Sequence, residues 1–88
     1  MIWRVVFDAA AAKELRVLGH AERLKVEKYL RDRIATAEDP RRFGKPLSGD
    51  LAGLWRYRVG DVRIIASIQN NEWIVLVLRV GHRSRVYD

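Results

Sequence analysis

The sequence predicts an α+β fold in which a helical hairpin packs on one face of a small, mainly antiparallel, four-stranded sheet. Three observations predict it. An apolar, β-branched segment opens the chain, and two stretches with helical periodicity follow it. A connection rich in proline and glycine comes next. Three β-rich segments separated by short turn signals then complete a β-α-α-β-β-β order, which we expect to form a single domain over residues 1–88.

The N-terminal half supplies the first strand and both helices. Ile2–Phe7 is rich in β-branched and aromatic residues, which favours a strand, and Asp8 is suited to cap the helix that follows. The spacing of apolar residues predicts a helix over Ala9–Leu18, ended by Gly19 in the left-handed position after the helix. A second amphipathic helix is predicted over Ala21–Ala37. The short gap between them predicts an antiparallel hairpin.

The C-terminal half supplies the other three strands after a long connection over Glu38–Gly53. Gly60–Asp61 and Asn70–Asn71 are typical of two-residue primed hairpin turns. The last strand is apolar on both faces, so we expect it to lie inside the sheet. The predicted strands are Leu54–Val59, Val62–Gln69 and Glu72–Val80.

Arginines alternate with large apolar residues along the first of these strands. Arg56 and Arg58 lie two apart, with Trp55 and Tyr57 in the alternate positions, so they share one face of the strand. If the aromatic residues face the helices, Arg63 of the next strand joins the two arginines on the other face. We expect this second face to be open to solvent.

Positive charge concentrates in the second half of the chain. The formal net charge is +6, yet residues 1–40 contain eight lysines and arginines against seven acidic residues. Residues 41–88 contain nine against four. A row of guanidinium groups on a sheet face is suited to the phosphates of RNA or DNA, so this half is expected to meet an anionic partner. A high pI that merely aids solubility is the alternative.

The composition excludes several classes of site. The chain has no cysteine, which excludes disulfides and thiolate metal sites and is compatible with a reducing cytoplasm. The two histidines are far apart in sequence and do not indicate a metal site. The longest apolar stretch, Trp73–Leu78, is too short to cross a membrane. We therefore expect a cytoplasmic protein without a metal or other cofactor.

Three stretches together carry a family resemblance. They are Lys45–Gly49 (KPLSG), Leu54–Arg63 (LWRYRVGDVR) and Val80–Tyr87 (VGHRSRVY), and Phe7–Asp8 fits the same family's opening. As a set, they resemble the RelE/ParE superfamily of bacterial type II toxins over nearly the whole chain. The RelE branch implies a ribosome-dependent mRNA endonuclease that a small RelB-like antitoxin holds inactive.

The resemblance also implies the site residues. Arg63, Arg83 and Tyr87 match the arginine, arginine and tyrosine of the RelE active site. Arg56 and Arg58 stand where RelE-like enzymes typically carry lysines. Because arginine does not lose its proton at physiological pH, a base role at position 56 is not expected, whereas stabilisation of phosphate charge is.

Metal-free RNA cleavage defines the expected roles. The ribose 2′-OH must be activated, the charge on the phosphate stabilised and the 5′-oxygen protonated, which leaves a 2′,3′-cyclic phosphate and a 5′-OH. We expect Tyr87 to be the general base, Arg83 to contact the phosphate and assist the leaving group, and the other three arginines to bind the phosphate. The auxiliary RNA contacts are expected from Arg85, Lys45, Arg41 and Arg42.

Other interpretations remain open. A ParE-like inhibitor of DNA gyrase has the same fold. The arginines in place of lysines favour it, whereas Arg63, Arg83 and Tyr87 count against it. A relative that binds RNA or protein without catalysis would also need the positive charge. Among single residues, His82 has the titration range of an acid or base, but its parity opposite Arg83 favours a structural role.

Overall fold

The computed structural model describes residues 1–82 and confirms the α+β fold, with two helices on a mostly antiparallel sheet. The sheet has five strands in the order β1-β5-β4-β3-β2. β1 runs parallel to β5, and the other neighbours are antiparallel. The strands are β1 Arg4–Phe7, β2 Lys45–Pro46, β3 Trp55–Val59, β4 Val62–Gln69 and β5 Ile74–His82, and the helices are α1 Ala9–Val17 and α2 His20–Tyr29.

The fifth strand corrects the prediction of four. β2 has two residues, lies inside the connection predicted to be irregular, and pairs with β3 at the edge of the sheet. A two-residue strand that contains a proline shows no alternation in the sequence, so pattern alone could not find it. The last predicted strand does lie inside the sheet, since β5 sits between β1 and β4.

The helical hairpin differs from the prediction at its joint and its end. Asp8 caps α1 as predicted, because its Oδ1 accepts the N–H of Ala11 at 2.8 Å. Gly19, however, is extended (φ −57°, ψ 150°) and is the N-cap of α2. The regular part of α2 ends at Tyr29, and a π-helical turn over Leu30–Ile34 replaces the predicted continuation. Leu30 and Ile34, four residues apart, both lie in the core, so the turn keeps the buried face that helical spacing predicts.

One predicted turn is correct and the other is wrong. Val59 pairs with Val62 across Gly60–Asp61, and the positive φ of Gly60 (60°) fits a two-residue primed turn. The β4–β5 connection instead takes four residues. A 3₁₀ turn at Asn70–Glu72 leads into Trp73, which is left-handed at φ 56°. This conformation is unfavourable for a side chain as large as tryptophan, so it could not be predicted from the residue type.

The core lies between the helices and one face of the sheet. Its fully buried residues include Tyr57, Ile64 and Ile34, which come from β3, β4 and the π-helical turn. Tyr57 and Tyr29 of α2 meet edge to face with ring centroids 6.3 Å apart. The predicted face assignment is therefore confirmed for Tyr57 and Ile64. Trp3 is also buried and packs on Trp73 with ring centroids 5.0 Å apart.

No helix within residues 1–82 has the length and apolar character needed to cross a membrane.

Candidate functional site

The β3–β4 hairpin places two arginines side by side. Arg58 is the partner of Arg63 across the pair, and Arg63 is in turn the partner of Gly81 on β5. Residues directly opposite on neighbouring strands share a face and are separated by about 5 Å. Gly81 contributes no side chain to this row. Two guanidinium groups side by side are an arrangement that can bind a phosphate group.

A second row on the same face adds more positive charge. Arg56 pairs with Lys45 on one side and with Ile65 on the other, and Ile65 pairs with Arg79. This row is two residues from the first, a rise of roughly 7 Å along a strand. We call Lys45, Arg56, Arg58 and Arg63 the arginine face. The predicted convergence of Arg56, Arg58 and Arg63 on one face agrees with this strand register.

The arginine face is more covered than the sequence suggested. Arg63 is only 9% exposed and Ile65 only 2%, whereas Arg58 is exposed and Arg56 is half-buried. Both residues lie on β4, which has a neighbouring strand on each side. The expectation of a fully open face is therefore wrong at the centre of the sheet. A guanidinium in such partial burial interacts more strongly with an anion than one in bulk water.

A buried tyrosine fixes the connection next to the arginine face. The Tyr57 hydroxyl donates to the carbonyl oxygen of Pro40 at 2.8 Å. Burial raises the pKa of this phenol well above its usual range, so it is a neutral donor. Gly44 passes so close that a Cβ there would lie 3.1 Å from Cε1 of Tyr57. These contacts hold the segment that delivers Lys45 to the edge of β3.

The three predicted auxiliary cations of the connection do not lie together. Lys45 is exposed and belongs to the arginine face by register. Arg41 binds Asn70 Oδ1 at 2.6 Å and Asp39 Oδ1 at 3.1 Å. Asn70 directly follows the end of β4, six strand residues and roughly 20 Å beyond Arg63, so Arg41 lies toward the other end of the sheet. Arg42 lies over the ring of Phe43, with its Cζ 4.3 Å from the centroid, and pairs with Glu38 at 3.1 Å.

Asp39 anchors Arg41 through the backbone as well as through the side chain. Asp39 Oδ1 accepts the backbone N–H of Arg41 at 3.0 Å. This hydrogen bond, followed by the bond to the Arg41 side chain, lowers the pKa of the exposed Asp39 carboxyl. The Arg41 guanidinium, whose Cζ is 5.9 Å from the Trp55 ring centroid, is thus engaged within the protein.

His82 faces the helices and not the arginine face. It is the partner of Val62, a core residue, and its Nε2 lies 3.1 Å from Glu22 Oε1 on α2. This contact agrees with the structural role that the sequence favoured. Arg83, Arg85 and Tyr87, which the sequence places in the site, lie outside the described residues.

Sequence reasoning missed two residues near this site. The first is Gly81, which pairs with Arg63. The two-residue turn at Gly60–Asp61 predicts the register of β3 on β4, but no turn of this kind predicts the register of β4 on β5. The pairing of β4 with β5 also contains an irregularity between Ile65 and Ala66 that the local sequence does not predict. The second residue is Glu14 of α1, which accepts a hydrogen bond from the Val80 N–H at the edge of β5, 66 positions along the chain. Within residues 1–82, no group of three or more histidine or acidic side chains is placed to hold a metal ion.

Comparison with protein families gives a match over most of the chain. A family model described as the ParE toxin of the type II toxin–antitoxin system parDE matches residues 5–87. Toxin RelG of Mycobacterium tuberculosis is 39% identical over 51 residues, which cover 58% of this chain and 59% of RelG. Toxin RelE of the same organism is 29% identical over 85 residues, which cover 97% of this chain and 86% of that protein. The RelG match thus spans less than two thirds of that relative.

Solved structures give the same result. A chain of the toxin–antitoxin complex RelBE2 from Mycobacterium tuberculosis has a TM-score of 0.86 and 30% identity, with 96% of this chain and 94% of that chain covered. A chain of the archaeal RelE–RelB complex from Pyrococcus horikoshii has a TM-score of 0.71 and 28% identity, with 98% and 100% covered. The isolated Escherichia coli RelE toxin, at 21% identity and a TM-score of 0.74 over 96% of this chain and 87% of that one, shares the fold.

Proposed function

Because the chain belongs to the ParE toxin family of type II toxin–antitoxin systems and is related to the RelE and RelG toxins, we propose that it is a metal-independent endoribonuclease. Its substrate is mRNA in the ribosomal A site, and its action is to stop translation. Ribosomes and translated mRNA are cytoplasmic, so the protein acts there.

The pairing of Arg58 with Arg63 carries this proposal. The two guanidinium groups start from adjacent positions on one face, with the small Gly81 beside Arg63. Arg56 adds a third cation one row away. Three cations on one face can stabilise the negative charge that builds on the oxygens of a phosphodiester during 2′-OH attack. Arg63 is nearly buried, which strengthens its share of this effect.

The remaining steps need groups from the end of the chain. Tyr87 takes the proton of the 2′-OH, whose oxygen then forms a bond to phosphorus. The bond to the 5′-oxygen breaks while Arg83 contacts the phosphate and assists the leaving group, and the 5′-oxygen takes up a proton from solvent water. The products are a 2′,3′-cyclic phosphate and a 5′-OH. Nearby guanidinium charges favour the ionised form of a phenol, which suits Tyr87 to the base role.

RNA end mapping tests the proposal. After brief expression in cells, transcripts are expected to be cut within translated codons and to carry cyclic phosphate and 5′-OH ends. Arg63→Ala is expected to abolish these cuts, whereas Arg4→Ala, which removes an exposed arginine of β1 outside the arginine face, is expected to leave them. Growth arrest with intact transcripts would refute the nuclease.

A gyrase inhibitor is the second candidate, for a specific reason. Arg56 and Arg58 replace the lysines that are typical of RelE-like enzymes, and the matching family model is that of ParE. The same cells distinguish the two. Trapped gyrase–DNA cleavage complexes together with intact mRNA would support this candidate, and cut mRNA without such complexes would exclude it.

We also infer that the partner is a RelB-like antitoxin that uses an apolar groove and the arginine face together. Two solved relatives are chains of RelB–RelE-type complexes. Here a cavity of about 270 Å³ lies between the helices and the outer edge of β1, with apolar and two charged residues around it. A peptide with apolar residues for this groove and acidic residues for the arginine face would cover both. The groove is lined by Val5, Phe7, Leu15, Glu27, Leu30, Arg31 and Ala35.

Replacing each of two alanines by arginine tests the groove. Ala35 lines it, whereas Ala37, two residues on, is exposed and does not. Ala35→Arg is expected to weaken antitoxin binding by roughly tenfold or more, because the side chain fills the groove. Ala37→Arg adds the same charge nearby and is expected to leave the affinity unchanged. Equal effects of both variants would place the antitoxin elsewhere.

A further inference from the structure

Beyond the end of β1, a backbone N–H on the outer edge of β5 bonds to a side chain of α1 and not to a neighbouring strand. β1 pairs with β5 as far as Phe7, opposite Val77, and the Asp8 N–H donates to Val77 O at 3.0 Å. Farther along, the Val80 N–H donates to Oε1 of Glu14 at 2.8 Å. Glu14 lies on α1. Its carboxylate therefore accepts a backbone hydrogen bond that a neighbouring strand would accept in a longer ladder.

The bond stands immediately after an irregularity in the strand. Ile65 pairs with Arg79, but its neighbour Ala66 pairs with Val77, so Leu78 is an extra residue. A bulge of this kind interrupts the ladder and changes which side chains face the core. Glu14 holds the strand on the far side of the bulge.

Arg79 keeps the Glu14 carboxylate in place. Its Nε lies 3.3 Å from Oε1 and 3.2 Å from Oε2 of Glu14. Arg79 is 47% exposed and Glu14 29% exposed, so the ion pair alone is screened by solvent. The charge-assisted bond from the Val80 N–H is the stronger part of the arrangement.

We propose that Glu14 is a positioning residue that fixes β5 after the bulge and thereby sets where the chain enters residues 83–88. The inference rests on the proposed function, which gives Arg83 and Tyr87 their roles. Glu14 itself is not part of the arginine face. It acts through the last three residues of the strand, Val80, Gly81 and His82.

The register of those three residues explains why the position matters. Val80 pairs with Ile64 and faces the core, and Gly81 pairs with Arg63. A shift by one residue would put a histidine opposite Arg63 and a glycine in the core. Catalysis by residues that follow β5 directly in the chain is sensitive to misplacement of about 1 Å.

Two substitutions at Glu14 separate the hydrogen bond from the charge. Glu14→Ala removes the acceptor, and Glu14→Gln keeps an acceptor oxygen while losing the charge. With purified ribosomes carrying mRNA, Glu14→Ala is expected to lower the single-turnover cleavage rate at saturating toxin by roughly tenfold to a hundredfold. The toxin concentration that gives half the maximal rate is expected to stay within about twofold, because the arginine face is intact. Glu14→Gln is expected to restore the rate to within about threefold of wild type.

A second readout does not depend on activity. In Glu14→Ala, hydrogen exchange at the Val80 amide is expected to accelerate about tenfold, with smaller changes at Gly81 and His82, and Glu14→Gln is expected to retain most of the protection. Asp32→Ala is the matched control. It removes exposed ion pairs with Lys28 and Arg31 and touches no strand.

The outcomes separate this inference from the proposed function. An inactive wild-type protein would refute the nuclease, and the exchange of the Val80 amide would still decide whether Glu14 holds β5. An unchanged rate in Glu14→Ala would overturn the positioning role. So would a loss in Glu14→Gln as large as that in Glu14→Ala, since the charge and not the backbone bond would then matter. A fall in Asp32→Ala equal to that in Glu14→Ala would reduce the effect to general stability.

Discussion

Arg58 and Arg63 are directly opposite each other across the β3–β4 hairpin. Like charges in this relation destabilise a sheet by a few tenths of a kcal/mol up to about 1 kcal/mol. A phosphate bound on this face would attract both guanidinium groups and so offset the repulsion between them.

Arg58→Thr is therefore expected to stabilise the free protein while it impairs function. Threonine suits an exposed strand position, and the repulsion from Arg63 disappears, so the free energy of unfolding should rise by about 0.5 kcal/mol. Urea denaturation measures the change, which should shrink at high salt. Arg4→Thr is the control, since Arg4 pairs with the uncharged Ile74. A lower stability for Arg58→Thr at every salt concentration would contradict the relation.

The salt dependence of RNA binding should distinguish the cations. Arg58→Ala and Lys45→Ala are expected to weaken binding to single-stranded RNA and to reduce the salt slope of the affinity by about one each. Arg42→Ala is expected to change the slope less, because Arg42 already pairs with Glu38. Fluorescence anisotropy over a range of salt concentrations measures all three. A larger change in salt slope for Arg42→Ala than for Arg58→Ala would mean that the RNA binds at the connection that contains Arg42 and not on the arginine face.

Tyr57→Phe is expected to lower stability and to remove part of its pH dependence. The Pro40 carbonyl loses its donor, at a cost of about 1–2 kcal/mol. Burial raises the pKa of Tyr57 in the folded state, whereas an unfolded tyrosine titrates near 10. The contribution of Tyr57 is therefore fully present below about pH 10 and declines as the pH rises above it.

Denaturation between about pH 8 and about pH 11 tests this sign. Wild-type protein should lose stability with rising pH faster than the Tyr57→Phe variant, so the two curves should converge. Tyr29→Phe is the comparison. Burial also raises the pKa of Tyr29, but Arg33 opposes the shift. Parallel curves for wild type and Tyr57→Phe would show that the phenol is not held neutral by the fold.

Trp73→Gly has two opposite effects on stability, because it relieves backbone strain and removes side-chain packing. Glycine removes the left-handed strain at φ 56°, worth about 1 kcal/mol. It also removes the ring that packs on Trp3 and against the core. Trp73 is half-buried, so the loss should be about half of the 3–5 kcal/mol that a core tryptophan costs, and the net destabilisation about 1 kcal/mol. Thermal unfolding measures it, and an increase in stability would mean that the strain outweighs the packing.

The sequence was sufficient for the parts of the fold that local chemistry specifies. The alternation of Trp55, Arg56, Tyr57 and Arg58 predicted which face is apolar, and the Gly60–Asp61 turn fixed the pairing of β3 with β4. Asp8 predicted the cap of α1. In each case, the signal lies within a few residues of the element, and the core then selects the same arrangement.

What the sequence could not predict depends on distant contacts. The extra residue of β5 at Leu78, the short strand Lys45–Pro46 and the left-handed Trp73 each follow from packing against other elements. The role of Glu14 requires both the end of β1 and the bulge of β5. The burial of Arg63 has no local signal in the sequence, where its charge predicts an exposed side chain.

Cleavage of ribosome-bound mRNA by purified protein tests the central claim most directly. In single-turnover reactions at saturating toxin, Arg63→Ala should cleave roughly a hundredfold more slowly than wild type or worse, because it removes the nearly buried cation of the arginine face. Arg4→Ala, which removes an arginine of β1, should match wild type within about twofold. Equal rates for Arg63→Ala and wild type would contradict the assignment of the arginine face as the site of phosphate stabilisation.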